Sequence, residues 1–345
     1  MSERILISTW LDIEDVERIQ AVSSSVEVMY APELLNKPRF PGDHGAEMPE
    51  VSLSQEDEAR WLSLLGRATI LFDIDRRYAD QIPYLAPNTR WIQSTSSGIG
   101  QSVNKRRYPE RMPNTIITTA SGVHAIPLAE FAAMAMLMHS RQALHMIREQ
   151  SNRRWERFSG TDLSGRTVLI VGLGSVGSEV AKVSKALGMR VLGIRRNPHQ
   201  STGDAVESIH SLVSLPDLLP LADFLVLAAP DTAETKGMIG MKEFALLPKG
   251  AVLINIGRGS LIDELALITS LTSGHLGGAY LDVFAKEPLP EANPLWPLPN
   301  VLVNAHSAST SDRENSRIVD LFCNNLHRYL NNEPLLNVLD PIKGY

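Results

Sequence analysis

The sequence predicts an α/β fold in two domains, and three observations carry that expectation. Short apolar runs of strand length alternate with helix-length segments along most of the chain. The 345 residues allow two domains of about 100–200 residues each. A glycine-rich turn, Gly172-Leu173-Gly174-Ser175-Val176-Gly177, lies between an apolar run and a helix-length segment, as at the start of a strand–turn–helix unit.

The elements follow in order. Arg4–Ile7 reads as a short buried strand, and Asp12–Ser23 as a polar, helix-prone stretch. Asn36–Pro49 holds three prolines and two glycines and reads as a loop. Ser54–Leu65 has helical spacing, and Thr69–Phe72 and Arg90–Gln93 are strands, the second running into the Ser/Gly-rich turn Ser94–Gly100. Ile126–Ile147 reads as one long helix with Pro127 in its first turn, where the missing N–H costs nothing. Its apolar residues extend around much of its circumference, which suits a core helix or a subunit interface. A second series begins with the strand Thr167–Val171, the helix Ser175–Leu187 and the strand Arg190–Ile194. Leu212–Leu219 reads as helix, Phe224–Ala228 as strand, Lys242–Leu246 as a short helix and Ala251–Ile256 as strand. Glu264–Ser273 (helix), Gly278–Leu281 and Val301–Asn304 (strands) and the C-terminal helix Arg313–Leu330 complete it.

Composition narrows the function. A net charge of −6 argues against a nucleic-acid partner, which calls for a basic patch. The single cysteine, Cys323, permits no internal disulfide. Glu3 and a run of only a few apolar residues stand where a signal peptide would have a basic start and an apolar core. The longest apolar stretch, Phe131–Met138, is well short of the ~20 residues that span a bilayer. The expectation is a soluble, cytoplasmic protein with no membrane partner.

The glycine turn points to a dinucleotide. Gly172 allows the tight turn, Gly174 allows close approach of a pyrophosphate, and Gly177 lets helix and strand pack together. The first turn of the helix, with Ser175 and Val176, offers free N–H groups and partial positive charge to phosphate. An acid at the end of the next strand would bind the ribose hydroxyls of NAD, but this chain has Arg195-Arg196 there. Two guanidiniums can pair with a 2′-phosphate, so NADP(H) is expected as the preferred cofactor, with NAD(H) as the alternative.

Three later segments place reactive groups at strand ends: Arg258 between Gly257 and Gly259, Asp282 with Glu287 after Leu281, and His306 after Asn304. Singly, each suits a surface ion pair, a turn or a polar loop. Together, beside a dinucleotide site, they supply a cation for a carboxylate, a proton donor for a developing alkoxide and a group that tunes the donor.

With these residues in view, the chain resembles the D-2-hydroxyacid dehydrogenase family. The matching stretches are Gly172–Gly177, Asn255–Gly259, Leu281–Phe284 with Glu287-Pro288, and His306. Ser96–Ile99, Ser121–His124 with Ala129-Glu130, and Ala229-Pro230 with Glu234-Thr235 match more weakly. The resemblance implies two Rossmann-like doubly wound domains, the dinucleotide-binding domain (122–308) inserted into a substrate domain (1–121 and 309–345). It implies that Arg258 holds the substrate carboxylate, that His306 exchanges the proton and that Glu287 raises its pKa. It further implies that Asp282 sits near the nicotinamide amide, and that backbone N–H groups around Ser97 and Gly98 bind the carboxylate. Pro230, Thr235 and Ile256 join the cofactor-binding set on the same basis. A homodimer through the helix after Pro127 is implied as well.

Arg195-Arg196 and Asn293–Trp296 resemble the glyoxylate/hydroxypyruvate reductase branch, which implies a small 2-keto or 2-hydroxy acid as substrate. The chain departs from the family at Gly100, where an acid is usual, and at Ser307-Ala308-Ser309 after the histidine. A formate- or phosphite-type dehydrogenase and a dinucleotide-sensing, corepressor-like interaction protein remain alternatives on the same fold. A metalloenzyme finds no support, for there is no H-E-x-x-H and no paired cysteine.

Overall fold

The computed structural model describes residues 2–44, 51–198 and 204–341, and these form two compact units. One comprises Met1–His124 with Thr310–Tyr345, the other Ala125–Ser309.

The first unit is built on β1 (Glu3–Ile7), α1 (Ile13–Gln20), β2 (Val26–Met29), α2 (Gln55–Arg67), β3 (Ile70–Phe72), α3 (Ile82–Leu85), β4 (Trp91–Gln93), α4 (Gly100–Lys105), α5 (Tyr108–Arg111) and β5 (Ile116–Thr118). Its sheet is wholly parallel, in the order β2-β1-β3-β4-β5. A parallel sheet covered on both faces needs apolar side chains on both, which is why β1, β3 and β4 read as near-continuous apolar runs. Alternation along each strand sends Leu6, Leu71 and Ile92 to one face, against Trp61 and Leu65 of α2. Ile5, Phe72 and Trp91 go to the other. Ser54 caps α2, its hydroxyl accepting from the Asp57 N–H at 3.1 Å.

The second unit contains α6 (Ala125–Ser140), α7 (Ala143–Ser151), β6 (Thr167–Val171), α8 (Ser175–Ala186), β7 (Arg190–Ile194), β8 (Ser208–His210), α9 (Leu215–Leu218), β9 (Phe224–Leu227), α10 (Met241–Leu246), β10 (Val252–Asn255), α11 (Glu264–Thr272), β11 (Gly278–Leu281) and β12 (Val301–Val303). The chain then returns to the first unit as α12 (Glu314–Leu330), whose Phe322 stacks on Trp91 with ring centroids 4.9 Å apart. The seven strands of the second sheet run parallel in the order β12-β11-β10-β9-β6-β7-β8. The order reverses between β6 and β9, and the crevice at the carboxyl ends of such strands is where open α/β sheets bind ligands. Among the described residues, no helix is long and apolar enough to cross a membrane.

Two expectations need adjusting. The helix expected over Ile126–Ile147 is two helices, broken at Gln142, whose φ of 54° is left-handed. The cause is tertiary: the Ser140 carbonyl accepts the Thr161 N–H at 2.8 Å, and the Gln142 side chain donates to the Ser159 carbonyl at 2.7 Å. The passing strand of chain thus takes a bond that would have continued the helix. Gly100, read as part of a turn, begins α4. Of the loop expected over Asn36–Pro49, residues 45–49 lie outside the described residues.

The glycine turn is shaped by the chain's own backbone. A Cβ on Gly177 would stand 2.0 Å from the Gly172 carbonyl oxygen, whereas one on Gly174 would meet nothing within 4 Å. Gly177→Ala should therefore destabilise the protein by about 1–3 kcal/mol in denaturant unfolding. Gly174→Ala should cost no more than the ~1 kcal/mol of a poorer helix N-cap. Equal losses for the two variants would contradict this reading of the turn.

Candidate active site

Strands β10, β11 and β12 are parallel neighbours, so their carboxyl ends share one edge of the sheet. The ladder continues past those ends. The Asp282 N–H donates to the Asn255 carbonyl at 3.0 Å, and the His306 N–H to the Asp282 carbonyl at 3.0 Å. Three segments far apart in sequence are thereby held in register.

Arg258 is set by a clamp from the last residue of β10. Asn255, with no exposed surface, accepts the Gly257 N–H on Oδ1 at 3.1 Å and donates from Nδ2 to the Arg258 carbonyl at 3.0 Å. The Arg258 Nη1 donates to the Gly257 carbonyl at 2.7 Å. Gly259 lets this turn lie against the next loop, since a Cβ there would stand 1.9 Å from the Phe284 carbonyl carbon.

That loop carries Glu287. Its Oε1 accepts the Phe284 N–H at 2.9 Å, and its Oε2 lies 2.7 Å from Nδ1 of His306. His306 has a φ of 51°, a left-handed conformation that costs a non-glycine residue on the order of 1–3 kcal/mol and recurs at functional sites. Its side chain stays 46% exposed. With Nδ1 facing a carboxylate, the assigned tautomer carries its proton there, and Nε2 is the nitrogen left to exchange one.

Electrostatics follow from this arrangement. The Glu287 hydrogen bond raises the His306 pKa above its ordinary value, outweighing burial and the Arg258 charge. Burial would push Glu287 up, but the bonds from His306 and the Phe284 N–H, with the His306 and Arg258 charges, hold it below the ordinary carboxylate range. Asp282, 2% exposed, accepts the Ala308 N–H at 2.9 Å and the Asn304 amide at 2.8 Å, yet burial keeps its pKa raised. Its Oδ1 thus braces the loop that bears His306.

The residues of the glycine turn lie at the reversal of strand order. Gly172, at φ 103°, passes so close to the end of β9 that a Cβ would stand 2.6 Å from the Ala228 carbonyl carbon and the Ala229 nitrogen. Leu173 is buried into the space left by Gly193 on β7, where a Cβ would meet its Cδ1 at 2.2 Å. Ser175, Val176 and Gly177 form the first turn of α8, whose N–H groups have no partner within the helix. Gly174, the N-cap of α8, is required neither by a positive φ nor by a close protein neighbour, and the space before it is open. These features fit a dinucleotide pyrophosphate.

Around this turn, the Arg195 N–H donates to the His210 carbonyl at 3.0 Å, and the Arg196 Nη2 lies 3.7 Å from Glu234 Oε2. The loop holding Glu234 is folded by Thr235, whose hydroxyl donates to the Pro230 carbonyl at 2.6 Å. Ile256 is buried just past β10, its N–H donating to the Leu227 carbonyl at 3.0 Å. Ser97 and Gly98 belong to the first unit and are exposed. The Gly98 N–H, expected to face a carboxylate, donates here to Ser96 Oγ at 3.1 Å. Sequence reasoning missed Asn255, Asn304 and Gly193. A polar residue ending an apolar strand and a glycine inside one were the available signals.

Comparison with known proteins adds context. The family model "D-isomer specific 2-hydroxyacid dehydrogenase, NAD binding domain" matches residues 133–308, just over half of the chain. A glyoxylate reductase of Korarchaeum cryptofilum is 35% identical over 219 residues, 61% of this chain and 64% of that relative. The chain thus spans less than two thirds of that relative's length. A D-isomer specific 2-hydroxyacid dehydrogenase family protein from Aeromonas salmonicida superposes with a TM-score of 0.81 at 26% identity, covering 99% of this chain and 100% of that one. A D-isomer specific 2-hydroxyacid dehydrogenase from Xanthobacter autotrophicus, solved with NADPH and MES, gives 0.78 at 26% identity and full coverage of both chains.

In an NMR pH titration, the His306 ring should titrate above the ordinary imidazole value of 6.5. In Glu287→Gln, where an amide replaces the charged acceptor, the transition should move to lower pH. An unchanged midpoint would show that Glu287 does not set it.

Proposed function

The chain belongs to the D-isomer specific 2-hydroxyacid dehydrogenase family, and on that premise we propose that it reduces a small 2-keto acid with NADP(H) preferred over NAD(H). The observation that carries the reading is the 2.7 Å His306–Glu287 pair, held by the strand ends that also carry Arg258. A reduced nicotinamide, when bound, supplies the hydride. The rest falls to the chain. Arg258 holds the substrate carboxylate and polarises the carbonyl. Protonated His306 gives its Nε2 proton to the oxygen as negative charge develops there. Glu287 orients the imidazole and keeps it protonated to higher pH. In the reverse direction, neutral His306 takes the proton from a 2-hydroxy acid.

In this proposal the unit Ala125–Ser309 binds the dinucleotide and the other binds the substrate. The pyrophosphate is held by the first-turn N–H groups of α8 at Ser175, Val176 and Gly177, with Gly172 and Gly174 giving access. Pro230, Thr235, Ile256 and Asp282 line the remainder of the cofactor site. Arg195 and Arg196 recognise the 2′-phosphate, and the NADPH bound to the Xanthobacter relative supports that choice. Ser97 and Gly98 receive the substrate carboxylate, which must displace the Ser96 hydroxyl from the Gly98 N–H. A glyoxylate- or hydroxypyruvate-like substrate is supported by the reductase relative. A homodimer through α6 and α7 is supported by exposed Met134, Leu137, Met146 and Ile147, followed by Trp155, which is 99% exposed.

NADPH oxidation across a panel of 2-keto acids tests the reading. Turnover should be found, with kcat/KM higher for NADPH than for NADH, and Arg195→Ala with Arg196→Ala should erase the preference. Absence of turnover with every acid would refute the enzyme reading, and a preference for NADH would refute the cofactor assignment.

A further inference from the structure

The second unit carries a cavity of about 360 Å³ at the amino ends of β11 and β12, the edge of the sheet away from Arg258 and His306. Its volume lies near the low end of the ~300–1,000 Å³ usual for small-molecule sites. The break between α6 and α7 builds one wall, through Met138, His139 and Leu144, and Tyr280, Pro299 and Asn300 build the other. Two glycines make room for His139: a Cβ on Gly277 would stand 3.2 Å from its Cε1, and one on Gly278 3.2 Å from its Nδ1. The imidazole meets Tyr280 and Phe224 edge to face, with ring centroids 6.4 and 6.1 Å away.

Three polar side chains of this cavity find no partner among the described residues. Tyr280 is 2% exposed, yet its hydroxyl makes no hydrogen bond to them. Neither does the side-chain amide of Asn300 nor either ring nitrogen of His139. Buried groups of this kind are as a rule hydrogen-bonded. All three are neutral donors and acceptors, for burial lowers the His139 pKa and pushes Tyr280 up to about 12. No acid stands among the described lining residues. The one guanidinium, of Arg148, is engaged: its Nη2 donates to Nδ1 of His145 at 3.0 Å and its Nε lies 3.5 Å from Glu149 Oε1. A cation would find no counter-charge here, and an anion only a cation already paired. A flat ring bearing a neutral group that both donates and accepts would satisfy the orphaned atoms, with Met138, Leu144 and Pro299 against its apolar surface.

We propose that this cavity is a binding site for a small, uncharged aromatic molecule carrying an amide or a hydroxyl, separate from the substrate and cofactor sites. Tyr280, Asn300 and His139 are its polar contacts. The site stands on its own geometry and does not depend on which acid the protein reduces.

The test is an NMR titration of the full chain, in excess NADPH, with benzamide, phenol, toluene, benzoate and benzylamine. Benzamide and phenol should bind saturably and shift the His139 ring signals. Each should bind at least about tenfold more tightly than toluene, the worth of one or two neutral hydrogen bonds. Benzoate and benzylamine should bind more weakly than benzamide. In Tyr280→Phe the advantage of benzamide over toluene should fall by at least about threefold, the loss of one such bond. Asn300→Ala, at a partly exposed position, reads the same ratio should the first variant fail to fold. Toluene binding as tightly as benzamide, a charged probe binding best, or variants that leave the ratio intact would overturn the proposal. So would absence of saturable binding at His139, the result for a cavity that holds only water. The readout is binding alone, so its failure is distinct from failure of the turnover panel.

Discussion

The contact on which the rest depends is the 2.7 Å hydrogen bond between Nδ1 of His306 and Glu287 Oε2. It is a product of sheet register. Parallel β10, β11 and β12 end on one edge, and the ladder carries one bond further through Asn255, Asp282 and His306. A one-residue slip of β12 would turn its side chains to the opposite face and take the imidazole out of reach of the carboxylate. The register is held by the pairing of Val301, Leu302 and Val303 with Ala279, Tyr280 and Leu281, and by the Asn304 N–H, which donates to the Leu281 carbonyl at 2.8 Å.

The local rules broken around this contact form a consistent set. His306 sits in a left-handed conformation, Asn255 is fully buried yet polar, and Gly257 and Gly259 flank an arginine. Each has a local reason: Asn255 satisfies its amide on the turn it shapes, and Gly259 admits the Phe284 backbone. The resulting electrostatics are reciprocal. The carboxylate holds the imidazolium, the imidazolium holds the carboxylate, and Arg258 tempers the gain at His306 while adding to the depression at Glu287. The charged pair therefore persists from below the ordinary carboxylate range to above the ordinary imidazole value.

Much of this was legible in the sequence, for identifiable reasons. The unit β6–turn–α8 announces itself through local steric demands, since Gly172 and Gly177 are forced by neighbouring backbone and Gly174 is not. Long apolar runs mark buried parallel strands, so Arg258, Asp282 and His306 could be placed at strand ends. The break at Gln142 was not legible, because it depends on a hydrogen bond from Thr161, far along the chain from Ser140. Strands β2, β5 and β8, of three or four residues, carry too little periodicity to stand out from loops. Asn255 and Asn304 read only as polar residues of apolar strands, because the partners of their side chains, the Gly257–Arg258 backbone and Asp282, depend on the folded loops.

The central claim is that one imidazole, tuned by one carboxylate, exchanges the proton in both directions. Its most direct measurement is the pH dependence of kcat/KM for keto-acid reduction and for hydroxy-acid oxidation. Reduction needs protonated His306 and should fall as pH rises through its raised pKa. Oxidation needs the neutral ring and should rise through the same midpoint. Profiles without a shared midpoint, or limbs that bend in the same direction, would contradict the account.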